Sequence, residues 1–165
     1  MAKVIVVGGG PAGIMAALSA SKTNEVTLIE RNNEIGKKLK LTGGGRCNIT
    51  NNRVIEELFD KVVTNKKFLY SAFYTFSNED LLSYFKENNL EYKIEYDEKV
   101  YTASDRADDV IEVLKNDLRK NGVKVLYNAL VEDLIIENGE VKGVITYSGE
   151  KLLSDRVIIT TGGKS

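Results

Sequence analysis

Three glycine-bearing strings leave bare backbone where a ligand carrying negative charge or hydrogen-bonding edges could approach: VGGGPAG at 7–13, TGGGRCN at 42–48 and ITTGG at 159–163. In the first, Gly8, Gly10 and Gly13 have the spacing of a dinucleotide fingerprint. Gly8 permits a tight turn, Gly10 lets backbone come up to phosphate oxygens without a side-chain clash, and Gly13 lets a following helix pack on a strand. A pyrophosphate there faces the unpaired N–H groups of a helix start. Glu30 closes the next apolar run about 20 residues on, where a carboxylate accepts hydrogen bonds from a ribose and opposes a 2′-phosphate. The plainer reading, a flexible turn and a solvated strand-end acid, is weakened by the combination of strand, glycines, helix and acid. Arg31 is read either as lying over an adenine or against the ribose, or as a solvated cation.

The second string lies in GKKLKLTGGGRCNITN, residues 36–51. Gly43, Gly44 and Gly45 free the backbone to present N–H groups, Arg46 offers positive charge, and Asn48 both donates and accepts. Phosphate, ribityl hydroxyls or a flavin edge would all be served, and a mobile surface loop is the alternative. Cys47 within it is read as a packing residue rather than a nucleophile. In the third string a strand exits into Thr161, Gly162 and Gly163, at the edge where ligands bind in open α/β sheets. A simple turn explains that string equally well.

Other chemistry is closed off. The chain has one cysteine and no histidine, which leaves no disulfide, no internal dithiol and no Ser-His-Asp or Cys-His pair, and speaks against a structural zinc or any other metal. Reactivity must then come from a bound cofactor, and no catalytic side chain stands out.

The elements that would position these strings follow from periodicity. Lys3–Val7 reads as a buried strand, Pro11–Lys22 as a helix with proline in its first turn, and Glu25–Glu30 as a second strand, together a parallel crossover unit. Residues 31–52 read as a long irregular loop. Helical spacing recurs over Phe68–Phe76 and Asp80–Asn88, with Ser77 or Asn78 as cap, and a hairpin follows over Tyr92–Thr102. Asp105–Asn121 reads as an amphipathic helix ended by Gly122, then a strand over Val123–Tyr127. Turn signals Asn138-Gly139 and Ser148-Gly149 divide three strands of an antiparallel meander, and Arg156–Thr161 closes the sequence of strands.

With 165 residues, 42% hydrophobic and 28% charged, the chain fits one folded domain. Its 23 basic residues are interspersed among 24 acidic ones, so no nucleic-acid or membrane partner is indicated. No apolar run approaches the roughly 20 residues of a membrane span and the first lacks signal-peptide flanks, so a cytoplasmic location is expected.

The strings VGGGPAGIMAA, GKKLKLTGGGRCNITN, YTASDRADDVI and ITTGGKS, in that order, resemble the amino-terminal part of the bacterial NAD(P)/FAD-dependent oxidoreductases of the aminoacetone-oxidase-like type. The resemblance covers essentially the whole chain, and TGGGRCN is its most specific marker. It implies an α/β, Rossmann-like FAD/NAD(P)-binding domain over residues 1–165, with a central parallel sheet, a three-stranded antiparallel meander and a helical and hairpin excursion over about residues 53–104. It further implies that Gly8, Gly10, Pro11, Ala12 and Gly13 lie on the pyrophosphate of FAD and that Glu30 holds the adenosine ribose. Lys38 and Gly44, Gly45, Arg46, Cys47 and Asn48 would approach the cofactor, and Val131 the adenine. Family members continue past GGKS into further domains, so a fragment of a longer flavoprotein is expected, with a small-molecule substrate and NAD(P)H as a possible reductant. The alternatives are a noncatalytic nucleotide-binding module that needs the missing domain, an NAD-dependent dehydrogenase, which the meander opposes, and an RNA-modifying flavoprotein, which the lack of a basic patch opposes.

Overall fold

A computed structural model describes residues 1–163; Lys164 and Ser165, the end of the ITTGGKS string, lie outside the described residues. Val4, Ile5, Val6 and Val7 are consecutively buried, as expected of a parallel strand covered on both faces. Their strand, β1 (Lys3–Val7), pairs in parallel with β2 (Glu25–Ile29) and with β10 (Arg156–Ile159), and β2 pairs in parallel with β6 (Lys124–Leu126). The sheet order is β10-β1-β2-β6. Between β1 and β2 runs α1 (Pro11–Ser21), with Pro11 at its start where a missing N–H costs nothing, and its Gly13, Ile14, Ala17 and Leu18 are buried.

The sheet's other face meets the meander. Ile5, Val7 and Ile29 form one core with Val144, against which Leu126, Val131, Leu134 and Leu152 pack. Each fully buried aliphatic of this set contributes about 1.5–3 kcal/mol. The meander comprises β7 (Val131–Glu137), β8 (Glu140–Thr146) and β9 (Lys151–Leu153), paired antiparallel in that order. Asn138 and Gly139 both take positive φ, which matches the right-handed twist of the strands they join. The parallel sheet and the meander thus stand as expected.

Two units divide the chain: Met1–Leu39 with the residues from Leu114 onward, and Lys40–Val113. The second unit holds an antiparallel sheet ordered β3-β5-β4, from Thr50–Asn51, Lys99–Thr102 and Tyr92–Glu95. It also holds α2 (Ile55–Asp60), α3 (Tyr70–Thr75) and α4 (Asn78–Glu87). Ser77 caps α4 reciprocally: its hydroxyl accepts from Asp80 N at 3.1 Å while the Asp80 carboxylate accepts from Ser77 N at 2.7 Å. Helix α5 (Ala107–Lys120) has Asp108 and Asp109 in its first turn and Arg119 and Lys120 in its last, in line with its dipole.

Several boundaries depart from the sequence reading. Residues 31–52 are not wholly irregular, because short turns within Leu39–Gly45, interrupted by non-helical backbone at Thr42, Gly43 and Gly44, and strand β3 break them up. A two-residue strand is too short to show alternation. Helix α2 had no counterpart in the periodicity, since six residues make fewer than two turns; its Phe59 is buried against Tyr70 and Phe73, ring centroids 4.4 and 5.1 Å away. The expected helix at Phe68 begins as a 3₁₀ turn, Lys66–Leu69. Asp105 stays outside α5 because its φ is +60°.

Candidate functional site

The carboxyl ends of β1, β2 and β10 meet around the first glycine string, and its four glycines have unlike surroundings. A Cβ on Gly8, where φ is +108°, would lie 2.5 Å from the Thr160 carbonyl oxygen. One on Gly9 would meet Ile35 Cγ2 at 2.8 Å and Glu30 Oε2 at 2.9 Å. One on Gly13 would sit 1.8 Å from the Gly8 oxygen and 2.6 Å from Thr160 Oγ1, so α1 approaches β1 as only glycine allows. A Cβ on Gly10 would touch nothing within 4 Å. Gly10 is also the N-cap of α1, with φ −80° and ψ 178°, no side-chain cap and no acidic residue in the first turn. Pro11 and Ala12 are exposed. This helix start therefore presents donors and positive dipole to open space.

Glu30 is buried and already engaged. Its Oε2 accepts from Gly9 N at 2.7 Å, and its Oε1 accepts from Asn32 N at 2.8 Å and from Asn32 Nδ2. An ionised carboxylate has about four lone-pair sites, so about one remains for a hydroxyl donor. The same side chain thus shapes the glycine turn and keeps one acceptor position. Thr160 ties the third string to the first: its Oγ1 donates to Val7 O at 2.8 Å and Gly8 O at 3.1 Å, and its N–H to Val7 O at 2.9 Å. Thr161, Gly162 and Gly163 follow directly and are exposed. Arg31 and Lys38 are exposed as well, and Val131 is half-buried with its side chain on the core. Gly9, Asn32 and Thr160 escaped the sequence reading, though each neighbours a residue that it singled out.

The second string lies in the other unit. Gly43, Gly44 and Gly45 all take positive φ, at +59°, +67° and +92°. The turn is closed by Cys47 N donating to Thr42 O at 3.0 Å. A Cβ on Gly43 would strike the Tyr101 ring at 2.8 Å, whereas Cβ atoms on Gly44 and Gly45 would meet nothing within 4 Å. Cys47 is fully buried with φ +58°, and burial pushes its thiol up despite a hydrogen bond with Thr42 that acts the other way. That thiol is a packing group, as its residue type suggested. With its amide nitrogen turned inward, Asn48 donates to Thr50 O at 2.9 Å and Val100 O at 3.3 Å, which ties the turn to β5.

Arg46 was expected to offer positive charge, and its charge is met by the chain's own carboxylates. Its Nη1 donates to Glu95 Oε1 and Oε2 at 3.0 and 3.1 Å and to Asp105 Oδ1 at 3.0 Å, and its guanidinium lies 4.0 Å from the centroid of the Tyr101 ring. Lys93 completes the group, 2.6 Å from Asp105 Oδ2 and 3.4 Å from Glu95 Oε1. Hydrogen bonds from Arg46 to Glu95 and from Lys93 to Asp105 hold both carboxyls below their ordinary range. Two cations and two anions leave the cluster without net charge.

Among the described residues no three His, Cys, Asp or Glu side chains are placed to hold a metal ion, and no helix is long and apolar enough to cross a membrane.

Comparison with known proteins gives one family and a set of partial relatives. The model of the HI0933-like protein Rossmann domain matches residues 2–165. A 3-dehydro-bile acid delta(4,6)-reductase of Clostridium scindens is 32% identical over 169 residues, covering 100% of this chain and 40% of that protein. A ribosomal RNA dihydrouridine synthase of Haemophilus influenzae is 29% identical over 164 residues, covering 98% and 40%. The chain thus spans about 40% of the length of these relatives. Among solved structures, the 3-ketosteroid-delta4-(5alpha)-dehydrogenase of Rhodococcus jostii RHA1 superposes with a TM-score of 0.72 at 17% identity, over 98% of this chain and 46% of that one. At that identity the likeness establishes the fold.

Proposed function

We propose that this chain, which belongs to the HI0933-like Rossmann-domain family of FAD-binding proteins, forms the FAD-binding portion of a flavin-dependent oxidoreductase. The observation that carries the reading is the contrast among the glycines: Gly8, Gly9 and Gly13 are closed against the protein itself, while Gly10 alone faces open space, at an uncapped helix start. A pyrophosphate fits that space, because the N–H groups of Gly10, Ala12 and Gly13 and the dipole of α1 favour two negative charges there. Glu30 has an acceptor position left for a ribose hydroxyl, and its charge disfavours a 2′-phosphate. The meander between β6 and β10, where a helical crossover would join two parallel strands in a dehydrogenase, favours the flavoprotein variant of the fold. Exposed Thr161, Gly162 and Gly163 extend the same rim.

Bound FAD supplies hydride transfer at its isoalloxazine ring. The residues of this chain seat the pyrophosphate and orient the adenosine end; groups that act on a substrate are assigned to the remainder of the longer protein, with NAD(P)H as reductant and a cytoplasmic location. The two relatives are a reductase of a bile acid and a maker of dihydrouridine, so addition of hydrogen to an unsaturated small molecule is the proposed reaction class. The second relative favours one further reading, a uridine base in RNA as substrate. The longer protein separates them: turnover with steroid-like enones supports the first, and dihydrouridine formed only in RNA supports the second.

The cofactor itself is tested on this chain by flavin absorbance after purification and by melting with added dinucleotides. FAD at about 100 times its dissociation constant adds about 2.7 kcal/mol to the native state. That is roughly 5–11 °C in melting temperature for a chain of this size. NAD adds little. Stabilisation by NAD with none by FAD would overturn the assignment.

A further inference from the structure

We infer that Arg46 is a positioning residue, which fixes the Gly43–Gly45 turn through Glu95, Asp105 and Tyr101 rather than offering its charge to an anionic ligand. The turn needs fixing. Three successive glycines in the left-handed region have more conformations to lose on folding than any other tripeptide, and Gly44 and Gly45 have no neighbour within reach of a Cβ to hold them. The restraint comes from the residues just after them. Arg46 N donates to Gly43 O at 3.4 Å, a long bond that by itself would hold little. Its side chain is gripped from three directions: by Glu95 on β4, by Asp105 in the turn before α5, and by the face of Tyr101 on β5. Tyr101 is buried and also abuts Gly43, so one ring touches both ends of the turn.

The electrostatics agree. Every ion pair of Arg46 runs through Nη1, and Lys93 balances the second carboxylate, so a phosphate arriving here would meet a neutral cluster with two acids in it. The groups left for a ligand are the backbone N–H groups of the turn, whose approach is open at Gly44 and Gly45. Preorganising such donors raises affinity by removing the cost of ordering them at the moment of binding.

The part of this inference that concerns the cofactor rests on the FAD reading above; the part that concerns the turn does not, and the experiment reads them separately. Amide exchange of the 42–48 segment is measured in flavin-free chain for wild type, Arg46→Ala, Arg46→Lys and the double variant Glu95→Gln/Asp105→Asn. All three variants are expected to exchange about tenfold faster there, with α1 and β1 unchanged. FAD affinity is then titrated. Arg46→Ala and Glu95→Gln/Asp105→Asn are expected to weaken it alike, on the order of tenfold, and Arg46→Lys is expected not to rescue, because an ammonium lacks the planar stack and fork. Unchanged exchange in the double variant overturns the positioning role. Tighter FAD binding once the two acids are neutralised, or full rescue by lysine, shows that Arg46 acts by its charge and overturns the inference too. Absence of FAD binding in wild type defeats the cofactor reading and leaves the exchange result to decide the role of Arg46.

Discussion

Gly10→Ala and Gly13→Ala add the same methyl group to one loop, and the structure assigns them opposite consequences. At Gly10 the backbone is extended, φ −80° and ψ 178°, so alanine adopts it without strain, and its Cβ meets nothing within 4 Å. Two small effects compete in the flavin-free chain. Removing a glycine's freedom from the unfolded state stabilises by about 0.4–1 kcal/mol. Alanine is a poorer N-cap than glycine by a comparable amount, about 0.5–1 kcal/mol. They nearly cancel, and melting should move by less than about 2–4 °C. At Gly13 the methyl would lie 1.8 Å from the Gly8 oxygen, half a normal contact distance, with backbone on the other side. Helix and strand must separate by more than an ångström, an overpacking that costs about 3 kcal/mol or more. That corresponds to a drop of roughly 6–12 °C or to loss of folding.

FAD reverses the ranking. The alanine methyl at position 10 occupies the space beside the helix start and displaces the pyrophosphate from one or two charge-assisted hydrogen bonds, about 3 kcal/mol in sum. Affinity falls roughly a hundredfold. At a concentration that is about 100 times the wild-type dissociation constant, stabilisation by FAD shrinks from about 2.7 to about 0.4 kcal/mol. Differential scanning fluorimetry with and without FAD reads both quantities from one sample set. If Gly10→Ala keeps the full FAD shift, the open space at Gly10 is not where the pyrophosphate sits. If Gly13→Ala melts like wild type, the close approach of α1 to β1 is wrong, and with it the geometry of the whole loop.

Two other outcomes follow from the second unit. Cys47, fully buried and with its thiol pushed up by burial, should react with a thiol reagent at least about a hundredfold more slowly in the native chain than in denaturant; labelling at the denatured rate would place the thiol on the surface. Glu95 and Asp105 have carboxyls held low by Arg46 and Lys93, so the stabilisation they confer is complete above the ordinary carboxylate pKa of about 4 and is lost as pH falls through the lower folded values. Exchange of the 42–48 segment should accordingly rise below about pH 4, after correction for the intrinsic pH dependence of exchange, in wild type but not in Glu95→Gln/Asp105→Asn. Parallel profiles for the two chains would dissociate the turn from the ion cluster.

How much of this was legible beforehand depends on the range over which each feature is determined. The opening crossover was legible because its determinants are local: four β-branched residues in succession, glycines at fixed offsets, a proline at the helix start and an acid after the next strand. The meander was legible for the same reason, through Asn138-Gly139 and Ser148-Gly149. Short elements were not, since Thr50–Asn51 and Ile55–Asp60 hold too few residues for a period to emerge. Their existence is decided by partners: β3 by β5, and α2 by the rings that gather on Phe59.

Within the candidate site the residue types were legible and their engagements were not. The fingerprint names Gly8, Gly10 and Gly13 without distinguishing a glycine that must admit a helix from one that leaves room for a ligand; the distinction needs Thr160, more than 140 positions away, which closes on Gly8 and Gly13 and leaves Gly10 open. Arg46 is the sharper case. Its placement after three glycines suggested a cation held out to a phosphate, yet its two acids come from 49 and 59 residues downstream and are brought to it by the β4–β5 hairpin and the turn before α5. A charge written beside a glycine loop is therefore an offer to whichever anion arrives first, and in this fold the chain supplies that anion itself. The donors that remain for a ligand are backbone amides, which no substitution pattern in the sequence can reveal, because every residue but proline carries one.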